Sequence, residues 1–236
     1  MNIKLIASGT RPWQRCVRYW GLSFVIDDTV LFDTFANYGV LSKKLRQAKI
    51  DASKIQTVVI SHDHWDHIGG LWQFLEKRTG IDVYLPASAA EATKNRMRAA
   101  GCRVIVDAGA KEVKAGVFVT DEIMGEFNGK PLPEQALALK SGKGLVLIVG
   151  CSHPGIWEIV KRAKELFNAP VYGVVGGLHL MHADATEICQ CANGLKNEGI
   201  TMVAPTHCAG RRAERIFQDV FRNGFVSLRE GQYLSL

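Results

Sequence analysis

A chain of 236 residues, 47% hydrophobic and 22% charged, with 23 glycines against 7 prolines, has apolar material for a sizeable core and reads as an ordinary soluble globular protein. The longest apolar run, Leu145 to Gly150 with its flanks, has strand length and falls well short of the roughly 18 to 20 residues of a membrane span. A formal charge of +6 favours anionic partners, but no run of five like charges marks a nucleic-acid tail.

The length suits one large domain over 1–236 better than two independent ones. The N-terminus runs straight from a short apolar stretch into Gly9-Thr10-Arg11-Pro12, which does not fit a signal peptide. Six cysteines spread without a CxxC fit reduced thiols, so the expected location is the cytoplasm.

In chain order, strands are expected at 2–8, 22–26 and 29–33, with Asp27-Asp28 as a hairpin turn between the last two. A helical period follows over 40–48, then a β-branched run at 55–61. Helices are expected near 70–78, 87–100, 156–168, 184–198 and 210–222. Strands are expected at 82–85, 103–106, 112–119, 135–140, 144–150, 171–175 and 201–205, with Ser141-Gly142-Lys143 turning a second hairpin. This mixture of hairpins and β-helix-β units points to packed α and β layers, not to a purely parallel sheet.

The chemistry concentrates in Ser61-His62-Asp63-His64-Trp65-Asp66-His67-Ile68-Gly69-Gly70, where three histidines and two aspartates fall within six residues at the end of a β-branched run. In extended backbone His62 and His64 share a side and can close on one cation, while Asp63 points away. As the chain turns into a helix, Asp66 and His67 can present a carboxylate oxygen and an imidazole to a second cation, and Gly69-Gly70 lets backbone pass close by. Imidazole and carboxylate suit zinc first, with manganese or iron as alternatives, and one or two such ions can generate a hydroxide nucleophile.

His62-Asp63-His64-Trp65-Asp66-His67 reads as HxHxDH, and the chain resembles the metallo-β-lactamase-fold hydrolase superfamily. The resemblance covers most of the chain and implies an α+β fold, a four-layer αββα sandwich. It aligns Leu31-Phe32-Asp33-Thr34 with a motif whose aspartate holds a ligand from behind instead of touching metal. Val149-Gly150-Cys151-Ser152-His153-Pro154-Gly155 and Ala204-Pro205-Thr206-His207-Cys208 resemble later histidine motifs. With Gly176-Gly177-Leu178-His179-Leu180, the set is similar to the branch labelled dihydropterin ribofuranosyl-aminobenzene phosphate synthase-like metal-dependent hydrolases.

The resemblance implies that His62, His64 and His153 hold one ion and Asp66, His67 and His207 a second, with Asp33 behind them. One departure matters: where many members end a strand in a metal-bridging aspartate, this chain has Cys151-Ser152-His153. His153 then either completes the first ion or replaces the bridge, and single-metal occupancy is an open alternative. Cys151 and Cys208, each next to a ligand candidate on a strand end, are read as packed thiols facing away. Cys189 and Cys191, two apart on a helix, do not share a metal. Asp66 is also the expected proton acceptor, and His179 a catalytic candidate that could ligate, touch substrate or pack; His182 is read as solvated.

Arg11, Arg15 and Arg18, interleaved with Trp13, Tyr19 and Trp20, could stack on a ring and pair with phosphate, and Arg211 with Arg212 could meet an anion at a helix start. The expected function is cleavage of a small anionic ester, a phosphate or phosphodiester, by metal-bound hydroxide. Thioester or lactone hydrolysis at the same site is the alternative enzyme reading, and a non-hydrolytic sensor or redox protein the alternative outside hydrolysis. A small anionic substrate is the expected partner; neither a membrane nor a nucleic acid is expected, and an oligomer is compatible with the sequence.

Overall fold

In the computed structural model, which describes residues 1–15, 19–106 and 109–236, the short apolar runs pair into two sheets and a separate hairpin. The first six strands are β1 (Asn2–Ser8), β2 (Leu22–Ile26), β3 (Val30–Phe32), β4 (Thr57–Val59), β5 (Asp82–Tyr84) and β6 (Arg103–Ile105), and they lie side by side in that order. A second sheet holds β7 (Lys111–Lys114) and β8 (Val117–Val119), while β9 (Ile123–Phe127) and β10 (Lys130–Glu134) form a two-stranded hairpin of their own. The second sheet continues through β11 (Leu137–Ser141), β12 (Gly144–Val149), β13 (Val171–Gly177) and β14 (Met202–Thr206); β15 (Tyr233–Ser235) returns to the first sheet beside β1. β3 to β6 are parallel, as are β12 to β14, and the remaining pairs are antiparallel.

Alternation along these strands decides the layering, because successive side chains leave a strand on opposite faces. In β2, Leu22, Phe24 and Ile26 face the second sheet while Val25 faces helices; in β12, Val146 and Ile148 face the first sheet while Leu145, Leu147 and Val149 face helices. Strands buried on both sides read as continuous apolar runs. The helices close the two outer faces. Leu41 and Leu45 of α1 (Tyr38–Gln47) and Leu71, Phe74 and Leu75 of α3 (Leu71–Glu76) cover the first sheet, together with Met97 of α4 (Glu91–Ala99). The short α2 (Trp65–Ile68) lies between α1 and α3 in the chain. Ile159 of α5 (Ile156–Phe167), Ile188 of α6 (Ala185–Asn197) and Phe217 of α7 (Gly210–Phe221) cover the second sheet. Three apolar layers between four layers of structure make the expected αββα sandwich.

Local chemistry sets the element ends. Asn37 accepts the Val40 amide at 3.2 Å and starts α1, and Asp184 with Glu187 forms a reciprocal capping box on α6. Asp27 and Asp28 both take positive φ in the β2–β3 turn, a conformation their short polar side chains tolerate. Three expectations need correction. The run 112–119 is two strands, because Gly116 at φ +76° turns the chain between them. The hairpin at 123–134 and the strand at 233–235 were not expected, since Gly, Pro and charged residues interrupt the first and the second is three residues long. Among the described residues no helix is long and apolar enough to cross a membrane.

Phe24 is fully buried between the sheets. Phe24→Ala is expected to lower unfolding free energy by about 3–5 kcal/mol, read from the urea midpoint at unchanged slope. A shift below about 1 kcal/mol would contradict the sandwich interior.

Candidate metal centre

The strand ends that bear the histidine motifs converge at one rim of the sandwich. β4 ends before His62, β12 before Cys151 and His153, β13 before His179, and β14 before His207. Hydrogen bonds sew the two sheets together there. Gln135 donates its backbone amide to the Ser61 carbonyl at 2.9 Å and its side-chain amide to the Ile60 carbonyl at 2.8 Å. Ser8 at the end of β1 meets the Thr206 hydroxyl at 2.8 Å and accepts the His207 amide at 3.2 Å.

Donor atoms gather in overlapping groups whose members lie within 4.8 Å of one another: His62, His64 and His153; Asp66, His67 and His207; His62, His67 and Cys151; and Cys151, His207 and Cys208. His62, His67 and His207 are fully buried, and Asp63 is exposed, as the strand alternation requires. The six residues expected to hold metal are therefore brought together, in the two groups of three that were expected.

Hydrogen bonds around the imidazoles dictate which nitrogen faces the groups. Asp33 Oδ1 accepts the Ser61 amide at 2.7 Å, and its Oδ2 accepts the Ser61 hydroxyl at 2.8 Å and His67 Nδ1 at 2.6 Å. Because the Ser61 hydrogen is spent on Asp33, its 2.9 Å contact with His62 Nδ1 has the imidazole as donor. His207 Nδ1 donates to the Gly9 carbonyl at 3.0 Å. His62 and His207 thus carry the proton on Nδ1 and leave Nε2 with its lone pair, the tautomer a metal ligand needs; His67, held at Nδ1 by Asp33, would present Nε2 once a cation displaces its second proton. The Nε2 atoms of His62, His153 and His207 are buried without a hydrogen-bond partner, a costly state that a cation would relieve. On donor type and on these orphaned lone pairs, the residues fit one or two divalent cations.

Electrostatics fit the same picture. Burial and the neighbouring imidazoles push His62 well down; burial and His179 take His153 down to about 3, so both stay neutral. Burial also opposes charge on His67, but Asp33 and Asp66 outweigh it and raise the imidazole to about 9. Asp66 is held far below the carboxylate range despite burial by the charge of His67 and by His207. Asp66 Oδ2 is 3.4 Å from His207 Nε2 and 3.6 Å from His67 Nε2.

A cavity of about 140 Å³ opens on the cluster, lined by His64, Trp65, Asp66, Cys151, His153, His179 and His207 with Trp20, Phe127 and Cys208. His179 is exposed at positive φ, its ring 4.7 Å from that of His153. His182 is exposed, as expected. Arg11 and Arg211 line a different cavity of about 590 Å³ with Trp13, Thr206, Glu214 and Arg229, not the one over the histidines. Arg18 and the side chain of Arg15 lie outside the described residues. Gly70 earns its place: a Cβ there would stand 2.2 Å from the Thr34 carbonyl oxygen.

Two residues escaped the sequence reading and two thiols were misread: Cys208, read as facing away, lines the cavity and groups with His207, and Cys151 shares that misreading. Glu134, fully buried, accepts the amides of Gly150, Cys151 and Ser152 on Oε1 at 2.9–3.1 Å and of His153 on Oε2 at 2.9 Å. Burial raises its carboxyl even though the Ser152 and His153 amides act to lower it. Phe127, at the tip of the β9–β10 hairpin, sets its ring 4.8 Å from that of His64. The only signal for Glu134 was a lone acid heading the apolar run Ala136-Leu137-Ala138-Leu139. Cys151 does not face away: the chain leaves β12 into a turn, strand alternation lapses, and its Sγ lies 3.3 Å from His67 Nε2. Ser152 at φ +64° is part of that turn.

The metallo-beta-lactamase superfamily profile matches residues 21–132. The chain is 27% identical, over 91% of its length and 89% of the relative's, to a 7,8-dihydropterin-6-methyl-4-(beta-D-ribofuranosyl)-aminobenzene-5'-phosphate synthase of Methanocaldococcus jannaschii. It superposes on the crystal structure of a metal-dependent hydrolase of the beta-lactamase superfamily with a TM-score of 0.78 and 27% identity, covering 100% of this chain and 99% of that one. A shorter match, 29% identical over 34% of this chain and 28% of the enzyme, is to ribonuclease Z of Listeria monocytogenes.

The Asp33–His67 pair makes a pH signature in metal-stripped protein. Because the folded-state value of about 9 lies above the ordinary 6.5, the pair's stabilisation is fully present below about pH 6.5 and is lost as pH rises through about 9. Melting temperatures between these limits should fall more steeply for the native chain than for Asp33→Asn. Parallel slopes for the two proteins would contradict the assignment.

Proposed function

Because the chain carries a metallo-β-lactamase superfamily domain, we propose that it is a metal-dependent hydrolase of a small anionic ester, with a phosphate ester or phosphodiester as the substrate class. The observation that carries this reading is the set of buried, unpartnered Nε2 atoms of His62, His153 and His207, two of which line, with Asp66, a cavity open to solvent. The 5'-phosphate in the relative's name and the words "metal-dependent hydrolase" for the structural neighbour favour it as well. His62, His64 and His153 would hold one ion and Asp66, His67 and His207 a second. Bound divalent cations supply Lewis-acid activation of a water and a counter-charge for the phosphoryl oxygens.

The chain's own groups do the rest. Asp33 and Ser61 hold His62 and His67 by Nδ1, which leaves Nε2 as the ligand atom. Asp66, kept as a carboxylate by its neighbours, is the negative charge at the cavity that would orient the water and accept its proton. His179, exposed at the cavity rim, is the group that protonates the leaving oxygen. Trp20, Trp65 and Phe127 flank the cavity with apolar surface that limits water.

Substitution of His64 or Asp66 by Ala should bring hydrolysis of bis(p-nitrophenyl) phosphate to background and lower bound metal measured by elemental analysis. Turnover of a thioester or a lactone in preference to the phosphodiester would replace the substrate class while leaving the metal site intact. Metal-loaded His64→Ala protein with native turnover would overturn the reading altogether.

His179→Ala should leave metal content unchanged and reduce kcat about 10²–10⁴-fold for esters with alkoxide leaving groups. Esters of p-nitrophenol, whose leaving group needs no proton, should lose far less. Equal losses for both would exclude His179 as the acid.

A further inference from the structure

Cys151 is unused by the hydrolytic reading, yet its sulfur sits at the middle of the donor cluster. The sulfur groups within 4.8 Å with His62, which belongs to the first set of three, and also with His67 and His207, which belong to the second. Among the described residues, Asp66 is grouped with the second set alone, so Cys151 is the side chain able to become anionic that meets both. The Nε2 atoms of His62 and His207, each grouped with the Cys151 sulfur, are buried without a hydrogen-bond partner.

The position of the sulfur is built. Glu134 gathers the four consecutive amides from Gly150 to His153 on one buried carboxylate, which fixes the turn carrying Cys151. The neighbouring thiol is engaged differently: Cys208 Sγ accepts the His179 amide at 3.2 Å and donates to the Cys151 carbonyl at 3.8 Å.

We propose that the Cys151 sulfur is a ligand shared by the two cation positions, and that it biases the site toward thiophilic ions such as zinc, iron(II) or cobalt(II) over manganese. This inference rests on the metal-dependent reading above. Metal–sulfur bonds of about 2.3 Å are compatible with ions about 3.5–4 Å apart. As those bonds form, the thiol proton leaves to solvent. A shared thiolate would add negative charge between two cations at that spacing, in a cluster whose other ligands are imidazoles and one carboxylate.

The test is to strip the full-length protein of metal, load it with cobalt(II), and follow sulfur-to-cobalt charge transfer in the near ultraviolet alongside bound cobalt per chain. The native protein should bind two cobalt ions with a charge-transfer band that grows through both equivalents. Cys151→Ser should lose the band, Cys208→Ser should keep it, and Cys151→Asp should bind two ions without it and gain manganese relative to zinc in competition. Two bound cobalt ions without the band in the native protein, or a band that survives Cys151→Ser, would overturn the sulfur ligand and leave the hydrolase reading standing. A band that saturates at one equivalent would overturn the sharing. A native protein that binds no cobalt would overturn both.

Discussion

The carboxylate of Asp33 is the constraint on which the cluster depends. It is fully buried, sits at φ +56°, and spends both oxygens on the motif segment that follows β4. Through Oδ2 it orients His67 directly and, by claiming the only hydrogen of Ser61, it orients His62 as well. One aspartate therefore sets the tautomer of an imidazole in each group of three. Thr34 completes the grip: its amide and hydroxyl both donate to the His67 carbonyl, at 2.7 and 2.8 Å. The left-handed backbone at Asp33, Ser152, His179 and His207 is a conformational cost, tolerated because neighbouring hydrogen bonds over-determine these residues.

Glu134, at the end of the β9–β10 hairpin, plays the matching part for the turn that follows β12. Four amides converge on one buried carboxylate, which holds Cys151 and His153 as Asp33 holds Ser61 and His67. The two carboxylates come from different parts of the fold, Asp33 after β3 of the first sheet and Glu134 at the end of β10 in the separate hairpin, where it grips the turn after β12 of the second sheet, so the cluster forms only when the sandwich closes. Burial keeps His62 and His153 neutral, which leaves their lone pairs available to a cation without first displacing a proton.

Charge is distributed with similar economy. Among the described residues, Arg11 and Arg211 border a separate and larger cavity beside Thr206, the residue before His207. The wall of the smaller cavity is aromatic instead, with Trp20, Trp65 and Phe127.

Much of the molecule was legible without coordinates. Period-two and period-3.6 patterns located most strands and helices, and the density of histidine and aspartate at the end of one β-branched run marked the candidate metal cluster, because i, i+2 spacing on a strand puts His62 and His64 on one side and Asp63 on the other. Patterns of this kind are local and survive in a linear string. Glu134, Phe127 and the direction of Cys151 were not legible, and the reason is common to all three. A hairpin broken by Gly125, Pro131 and Pro133 has no period to detect, and a cysteine just past a strand obeys the turn, not the strand. Their roles arise only where two sheets meet across many tens of residues, and burial there, not residue type, decides which carboxylate must find partners and which sulfur faces the imidazoles.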